Sequence, residues 1–263
     1  MRVGMRISST LVVCAWLTAA GHTAPLLHPN DATHTPQDAT NMVRAAAGIL
    51  APVYGPLAEH IVEEFQLAQK QGIGIDVGSG PGTLIIELAK RTRMHWINAD
   101  INPHFFPGFL ERADEAGIAG RVSAVFADAQ ALPFRDNYAD VIVSRGSFQF
   151  WKDKRLAFSE LYRVLKPGGI AFIGRGFSEN LPVDTAHQIR AAQKKEDRED
   201  SVLKYSVAET ESELRDIMAS LGVESYGIHI PKPSGSEGIN YGLWIEIRKK
   251  AVPTADGEQL SRH

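Results

Sequence analysis

Gly74-Ile75-Asp76-Val77-Gly78-Ser79-Gly80-Pro81-Gly82-Thr83 runs directly into Leu84-Ile85-Ile86-Glu87-Leu88-Ala89-Lys90. A short apolar run, alternating glycines and an apolar-periodic segment read as a buried strand, a tight turn and a helix. Glycine suits such a turn because a backbone that touches a ligand leaves no room for Cβ and often needs φ > 0. A ligand is therefore expected over the turn. Asp76, two residues before Gly78, stands at the carboxyl end of the strand, where open α/β sheets bind ligands. The spacing departs from the dinucleotide fingerprint G-x-G-x-x-G, because Gly82 comes one place early. No Gly-Lys-Ser/Thr follows, which excludes a P-loop.

Working outward, residues 94–99 form a second apolar strand that ends in Asp100, followed by Ile101, Asn102 and Pro103. An acidic residue about 20 positions past the glycine turn is where nucleotide folds hold ribose hydroxyls, and a carboxylate accepts from two adjacent hydroxyls. Capping of the helix that Pro103 opens is the alternative role for Asp100. Residues 121–127 alternate as a third strand ending in Asp128-Ala129, where Asp128 could also cap a turn. Residues 139–144 are a fourth strand. It runs into Arg145-Gly146-Ser147-Phe148-Gln149-Phe150-Trp151, a loop at the carboxyl edge of the sheet. Residues 156–165 form an amphipathic helix, stopped by Lys166-Pro167-Gly168-Gly169 ahead of a fifth strand over 170–174.

On the amino-terminal side, Ile49, Leu50, Val53, Leu57, Ile61, Val62 and Phe65 recur at helical spacing. Pro52 and Pro56 interrupt them and predict two helical pieces. Tyr54 lies beside that break and either reaches the ligand site or simply packs. On the carboxyl side, residues 175–208 read as a cap insertion holding a helix over 188–204, whose charge run 194–200 is a solvated face. A helix over 209–221 and a strand pair over 223–230 and 239–248 complete the pattern.

Asp76 with its glycine turn, Asp100, Asp128-Ala129 and the segment Glu160-Leu161-Tyr162-Arg163-Val164-Leu165-Lys166-Pro167-Gly168-Gly169 together resemble class I S-adenosylmethionine (SAM)-dependent methyltransferases, in particular the small-molecule, type 11-like group. The resemblance runs from about Val53 to Lys250. A dinucleotide-dependent dehydrogenase would share the first two motifs and leave the other two unexplained. The resemblance implies an α/β, Rossmann-like, seven-stranded, mostly parallel sheet with helices on both faces and an antiparallel last strand pair. It assigns SAM, and its product S-adenosylhomocysteine (SAH), to Asp76, Gly78, Ser79, Gly80, Gly82, Asp100, Ile101, Asp128, Ala129 and Ser144. The methionine portion would lie over the glycine turn. Asp128 would meet the adenine amino group, beside the Ala129 backbone.

The implied reaction is transfer of the sulfonium methyl group to a small apolar or planar acceptor by in-line displacement, in which positioning supplies much of the acceleration. Arg145, Ser147, Phe148, Phe150, Trp151, Arg175 and Phe177 are the candidate acceptor-binding residues, with Arg145 suited to a carboxylate or phosphate. Packing of Phe148 and Trp151 under the following helix is the competing reading, as is pairing of Arg145 with a local acid. Tyr54, Arg145 and His187 are the candidates for a catalytic role, and a base is needed only if the acceptor must lose a proton. A non-catalytic SAM- or SAH-binding sensor would use the same cofactor residues.

Composition sets the remaining bounds. The 263 residues are 44% hydrophobic and 22% charged, as in a globular chain with one sizeable core. A formal charge of −3 gives no footprint for nucleic acid. Cys14 is the only cysteine, so no internal disulfide or cysteine-based metal cluster forms. The nine histidines show no H-E-x-x-H or H-x-x-x-H spacing, and no metal is expected. Residues 1–24 resemble a secretory signal: Arg2 and Arg6, an apolar run over 7–17, then Thr18-Ala19-Ala20, too short for a stable membrane span. Residues 25–41 read as a polar linker, 42–250 as the methyltransferase domain and 251–263 as a mobile tail. Since SAM is kept in the cytosol, the resemblance favours a cytoplasmic protein. The signal-like segment opposes that with an exported or envelope-associated one. The segment is a signal, an anchor, or an extension upstream of a start at Met42.

Overall fold

A computed structural model describes residues 34–196 and 206–251. The signal-like stretch, part of the charge run and the expected tail beyond Ala251 lie outside the described residues. Seven strands form one sheet: β1 (Ile73–Val77), β2 (His95–Asp100), β3 (Val122–Phe126), β4 (Ala139–Arg145), β5 (Leu165–Gly176), β6 (Tyr226–His229) and β7 (Gly242–Arg248). Their order is β3-β2-β1-β4-β5-β7-β6. Only β7 runs against its neighbours, being antiparallel to both β5 and β6. The seven-stranded, mostly parallel sheet expected from the sequence is thus the one observed. The order reverses at β1, which pairs with β2 on one side and β4 on the other. Ligands of open α/β sheets bind in the crevice such a reversal leaves at the carboxyl ends.

The seven α-helices are α1 (Pro36–Ala47), α2 (Ala51–Glu64), α3 (Thr83–Arg91), α4 (Phe106–Glu115), α5 (Lys154–Val164), α6 (Val183–Glu196) and α7 (Val207–Leu221) among the described residues. A strand buried on both faces sends alternate side chains to opposite layers. Ile75 and Val77 of β1 and Ile142 of β4 join Phe158 and Leu161 of α5 and Leu214 and Met218 of α7 in one apolar layer. Val141 and Val143 of β4, with Trp96 of β2 and Phe172 of β5, join Leu57 and Ile61 of α2, Ile85 and Leu88 of α3 and Phe109 of α4 in the other. By the same alternation Asp76 and Arg145 point toward the second layer, the side on which α2 packs.

The amino-terminal layer differs from the sequence expectation in two ways. Residues 36–41, read as linker, already belong to α1, because Thr35 and Asp38 make a reciprocal capping box at its start. The break between the two helical pieces falls at residues 48–50, not at the prolines. Pro52 lies in the first turn of α2, where its missing N–H leaves no bond unmade, and Pro56 is carried inside the helix. Lys166-Pro167-Gly168-Gly169 was read as the stop between helix and strand. It instead forms an irregularity within β5: Leu165 pairs with Ala139 and Ile170 with Val141, so the segment between them bulges out of register. In the cap region α6 begins at Val183, five residues before the expected helix.

Candidate active site

The turn after β1 is built from glycines in left-handed conformations, with φ of 69° at Gly78 and 73° at Gly82. Neither position has room for a side chain. A Cβ on Gly78 would come within 2.4 Å of Ser147 Cβ, and one on Gly82 within 2.2 Å of the Phe109 ring. Gly80 differs, since its nearest neighbours would be Met42 and Phe105 at 3.8 Å. The first turn of α3 follows at once, adding unpaired amide N–H groups at a helix amino terminus.

Two buried carboxylates flank the turn. Asp100, 6% exposed, accepts hydrogen bonds from Gly80 N at 2.7 Å and Asn102 N at 2.8 Å. Burial, foremost, pushes its pKa up, against those backbone donors. Each oxygen retains a lone pair for a hydroxyl donor. The capping role weighed for Asp100 belongs to Asn102, whose Oδ1 accepts from His104 N at 3.1 Å. Asp76, 2% exposed, accepts from Ser79 Oγ at 2.8 Å through Oδ2, while its buried Oδ1 has no partner among the described residues. Burial is the main cause that carries the Asp76 pKa up to about 7; the Ser79 bond opposes it and Asp100 adds to it.

Arg145 comes off the end of β4 onto the same side. Its guanidinium carbon lies 5.2 Å from the centroid of the Tyr54 ring, and Nε donates to Gly176 O at 3.3 Å. Burial draws the Arg145 pKa down, while Tyr54 and Asp76 draw it up. Tyr54, 8% exposed, is held above the usual phenol range by burial. Tyr54 and Arg145 therefore pack on one another beside Asp76.

The structure separates the other candidates. Ser144 is fully buried; its Oγ lies 2.7 Å from Val77 O and 2.6 Å from Ser147 Oγ, which lies 3.0 Å from Val77 O, and the two hydroxyl protons serve two of these three contacts. These hydroxyls tie the β4 loop to the end of β1. Asp128 is half-buried and accepts from Gln130 N at 2.9 Å, next to the buried Ala129. Ile101 is half-buried in the turn after β2. Phe148 and Trp151 pack edge to face, and Trp151 packs likewise on Phe158 of α5. They belong to the core below the helix. Phe150 is 65% exposed. Phe177 is buried in a satellite cluster with Val53, Leu181, Ala186, Ile189 and Tyr241, and Arg190 lies 4.3 Å above its ring. Arg175 is half-buried near the end of β5, and His187 is exposed on α6.

Two contributors escaped the sequence reading. Asn98, fully buried in β2, donates from Nδ2 to Gly80 O at 3.1 Å and so fixes the turn from below. An amide in the middle of an apolar strand was the available signal. Helix α1 is the other. Met42 reaches Gly80, and Asn102 Nδ2 donates to Thr35 O at 3.4 Å, so α1 crosses the mouth of the turn. Among the described residues no group of side chains is arranged to hold a metal ion. No single helix among them is long and apolar enough to cross a membrane, although α1 and α2 together pass that test as a pair bent by 75°.

Residues 75–173 match the family model described as "Methyltransferase domain". A solved structure of a Methanococcus maripaludis protein, assigned as an S-adenosyl-L-methionine-dependent methyltransferase, is 32% identical, covers 87% of this chain and 99% of its own, and superposes with a TM-score of 0.69. Phosphoethanolamine N-methyltransferase 2 of Haemonchus contortus, solved with S-adenosylhomocysteine, shares the fold at 19% identity and TM-score 0.55, over 82% of this chain and 60% of that one. The ubiquinone/menaquinone biosynthesis C-methyltransferase UbiE of Vibrio cholerae is 36% identical over 97 residues, 36% of this chain. That match spans only 37% of the relative's length.

Proposed function

This chain belongs to the SAM-dependent methyltransferases, and we propose that it methylates a small apolar or planar acceptor held between α2 and the loop after β4. The enzyme class and the cofactor come with the family; the acceptor and the residue roles are the proposal. The residues present fit the cofactor. Asp76 Oδ1 is a buried acceptor without a partner among the described residues, suited to an ammonium group, and the left-handed glycines Gly78, Gly80 and Gly82 present a turn free of side chains to a ligand. Asp100, with lone pairs to spare, suits ribose hydroxyls, and Asp128-Ala129 suits the adenine edge. The cofactor supplies an electrophilic methyl group on a sulfonium whose departure leaves a neutral thioether.

The observation that carries the reading is the cluster of Asp76, Arg145 and Tyr54 on one side of the carboxyl edge. With its pKa raised, Tyr54 keeps its proton at neutral pH and acts as a hydrogen-bond donor to the acceptor, not as a base. Arg145 holds the Tyr54 ring and, with its positive charge, favours an acceptor oxygen that carries negative charge. A phenolate-like ring needs no further base at the moment of transfer. The partial likeness to ubiquinone/menaquinone biosynthesis C-methyltransferases supports planar ring acceptors as the first to try, and cofactor supply supports action on the cytoplasmic side.

Methyl transfer from labelled SAM to hydroxylated naphthalene and benzoquinol compounds tests this. Ring methylation is the expected result, with Tyr54→Phe lowering kcat/KM for the acceptor roughly tenfold while leaving SAH affinity unchanged. Transfer to polar aliphatic amines or thiols with no transfer to rings would overturn it.

A further inference from the structure

His60 lies six residues beyond Tyr54 on α2, about 9 Å farther along the helix. There α2 and the edge formed by β5, β7 and β6 enclose a cavity of about 110 Å³. That is room for several water molecules or one small organic ion. Its walls include a column of stacked rings, His60 on Phe172 at 5.7 Å and Phe172 on Trp244 at 4.8 Å. Gly174 permits the column, because a Cβ there would meet the Trp244 ring at 2.4 Å.

Ser178 lines this cavity, is 2% exposed, and its Oγ has no hydrogen-bond partner among the described residues. A buried hydroxyl left unpaired is costly, so a ligand that satisfies it gains accordingly. Glu64, Glu179 and Glu246 line the same space. Glu246 is occupied by Arg248 and lies 3.5 Å from His229, whereas Glu64 and Glu179 make no ion pair among the described residues. The polar lining thus holds three carboxylates beside two imidazoles, His60 and His229, and no lysine or arginine. Among the described residues no group of side chains is arranged to hold a metal ion, and the stacked rings of the wall suit an organic cation.

We propose that this cavity binds a small protonated amine, whose ammonium group donates to Ser178 Oγ and to the Glu64 and Glu179 carboxylates while its alkyl part lies against Phe172 and Trp244. A hydroxyl acceptor deep in the site selects a cation that carries N–H donors over a quaternary one, and ring walls favour a cation with an apolar tail. The site is separate from the glycine turn and does not depend on the identity of the methyl acceptor.

Calorimetric titration of the full chain with propylammonium chloride, in the presence of saturating SAH and at constant ionic strength, tests the assignment. Tetramethylammonium chloride and sodium propionate serve as comparison probes. Saturable propylammonium binding is expected, with tetramethylammonium weaker and propionate absent. Ser178→Ala is expected to weaken binding about tenfold, as loss of one charge-assisted hydrogen bond. The double variant Glu64→Gln/Glu179→Gln should weaken it by a similar factor and, being on the surface, leave the thermal midpoint unchanged. Absence of saturable binding, equal binding of propionate, or unaltered affinity in either Ser178→Ala or the glutamate double variant would each overturn the proposal.

Discussion

Asp76 shows how burial converts an ordinary carboxylate into a ligand-responsive group. Burial makes the side chain resist ionisation, against the single hydrogen bond from Ser79 among the described residues, and its pKa rises to about 7. A carboxyl group raised in the folded state stabilises the unliganded protein fully below its unfolded pKa, and that contribution is lost as pH rises through about 7. A bound ammonium group acts in the opposite direction by favouring the ionised form. SAH binding should then release a proton below neutrality, and its affinity should rise by up to about tenfold between roughly pH 6 and pH 8. Titrations in buffers of different ionisation enthalpy measure both effects, and Asp76→Asn should remove that part of the pH dependence. Gly82 sets a second limit at this scale. Gly82→Ala forces a Cβ into the Phe109 ring at a left-handed φ, and should lower stability by about 2 kcal/mol or more and abolish SAH binding. Denaturant unfolding of the variant checks this, and unchanged stability would show that the turn is looser than described.

At the level of elements, the loop after β4 divides into a buried half and an exposed one. Phe148→Ala should cost about 3–5 kcal/mol in unfolding experiments, because the ring is part of the core beneath α5. Phe150→Ala should change stability by less than about 0.5 kcal/mol and act, if at all, on acceptor KM. The sequence could not separate these two rings: both stand in one aromatic run, and only the short turn at Phe148–Phe150 decides which one faces inward. Helix α1 was hidden for a different reason. Its polar and Pro/Thr-flanked start has the composition of a linker, and it is held by a local capping box and by tertiary contacts to Phe105 and Phe106. Removing residues 1–47 should leave cooperative unfolding intact and weaken SAH binding about tenfold, since α1 crosses the mouth of the glycine turn. Equal affinity in the shortened chain would show that α1 packs there without covering the cofactor.

Across the whole molecule, the sheet order places its reversal at β1, and the glycine turn, Asp76 and Arg145 all arise from the two strands that part there. This much was legible in the sequence, because strand-end acids and alternating glycines are local patterns tied to backbone geometry. The clustering of Tyr54 with Arg145, the tie of Ser144 to Val77 and the grip of Asn98 on Gly80 were not, since each depends on strand alternation and helix placement over long separations. The central claim is that the cofactor lies on the Gly78–Gly82 turn against Asp76. Thermal unfolding and calorimetry of the full chain with SAH and with NAD, for wild type and Asp76→Asn, test it most directly. SAH at about 100 times its Kd should raise Tm by roughly 5–10 °C, NAD should have no effect, and Asp76→Asn should weaken SAH at least about tenfold while remaining folded. Stabilisation by NAD in place of SAH, or SAH binding that is indifferent to Asp76→Asn, would contradict it.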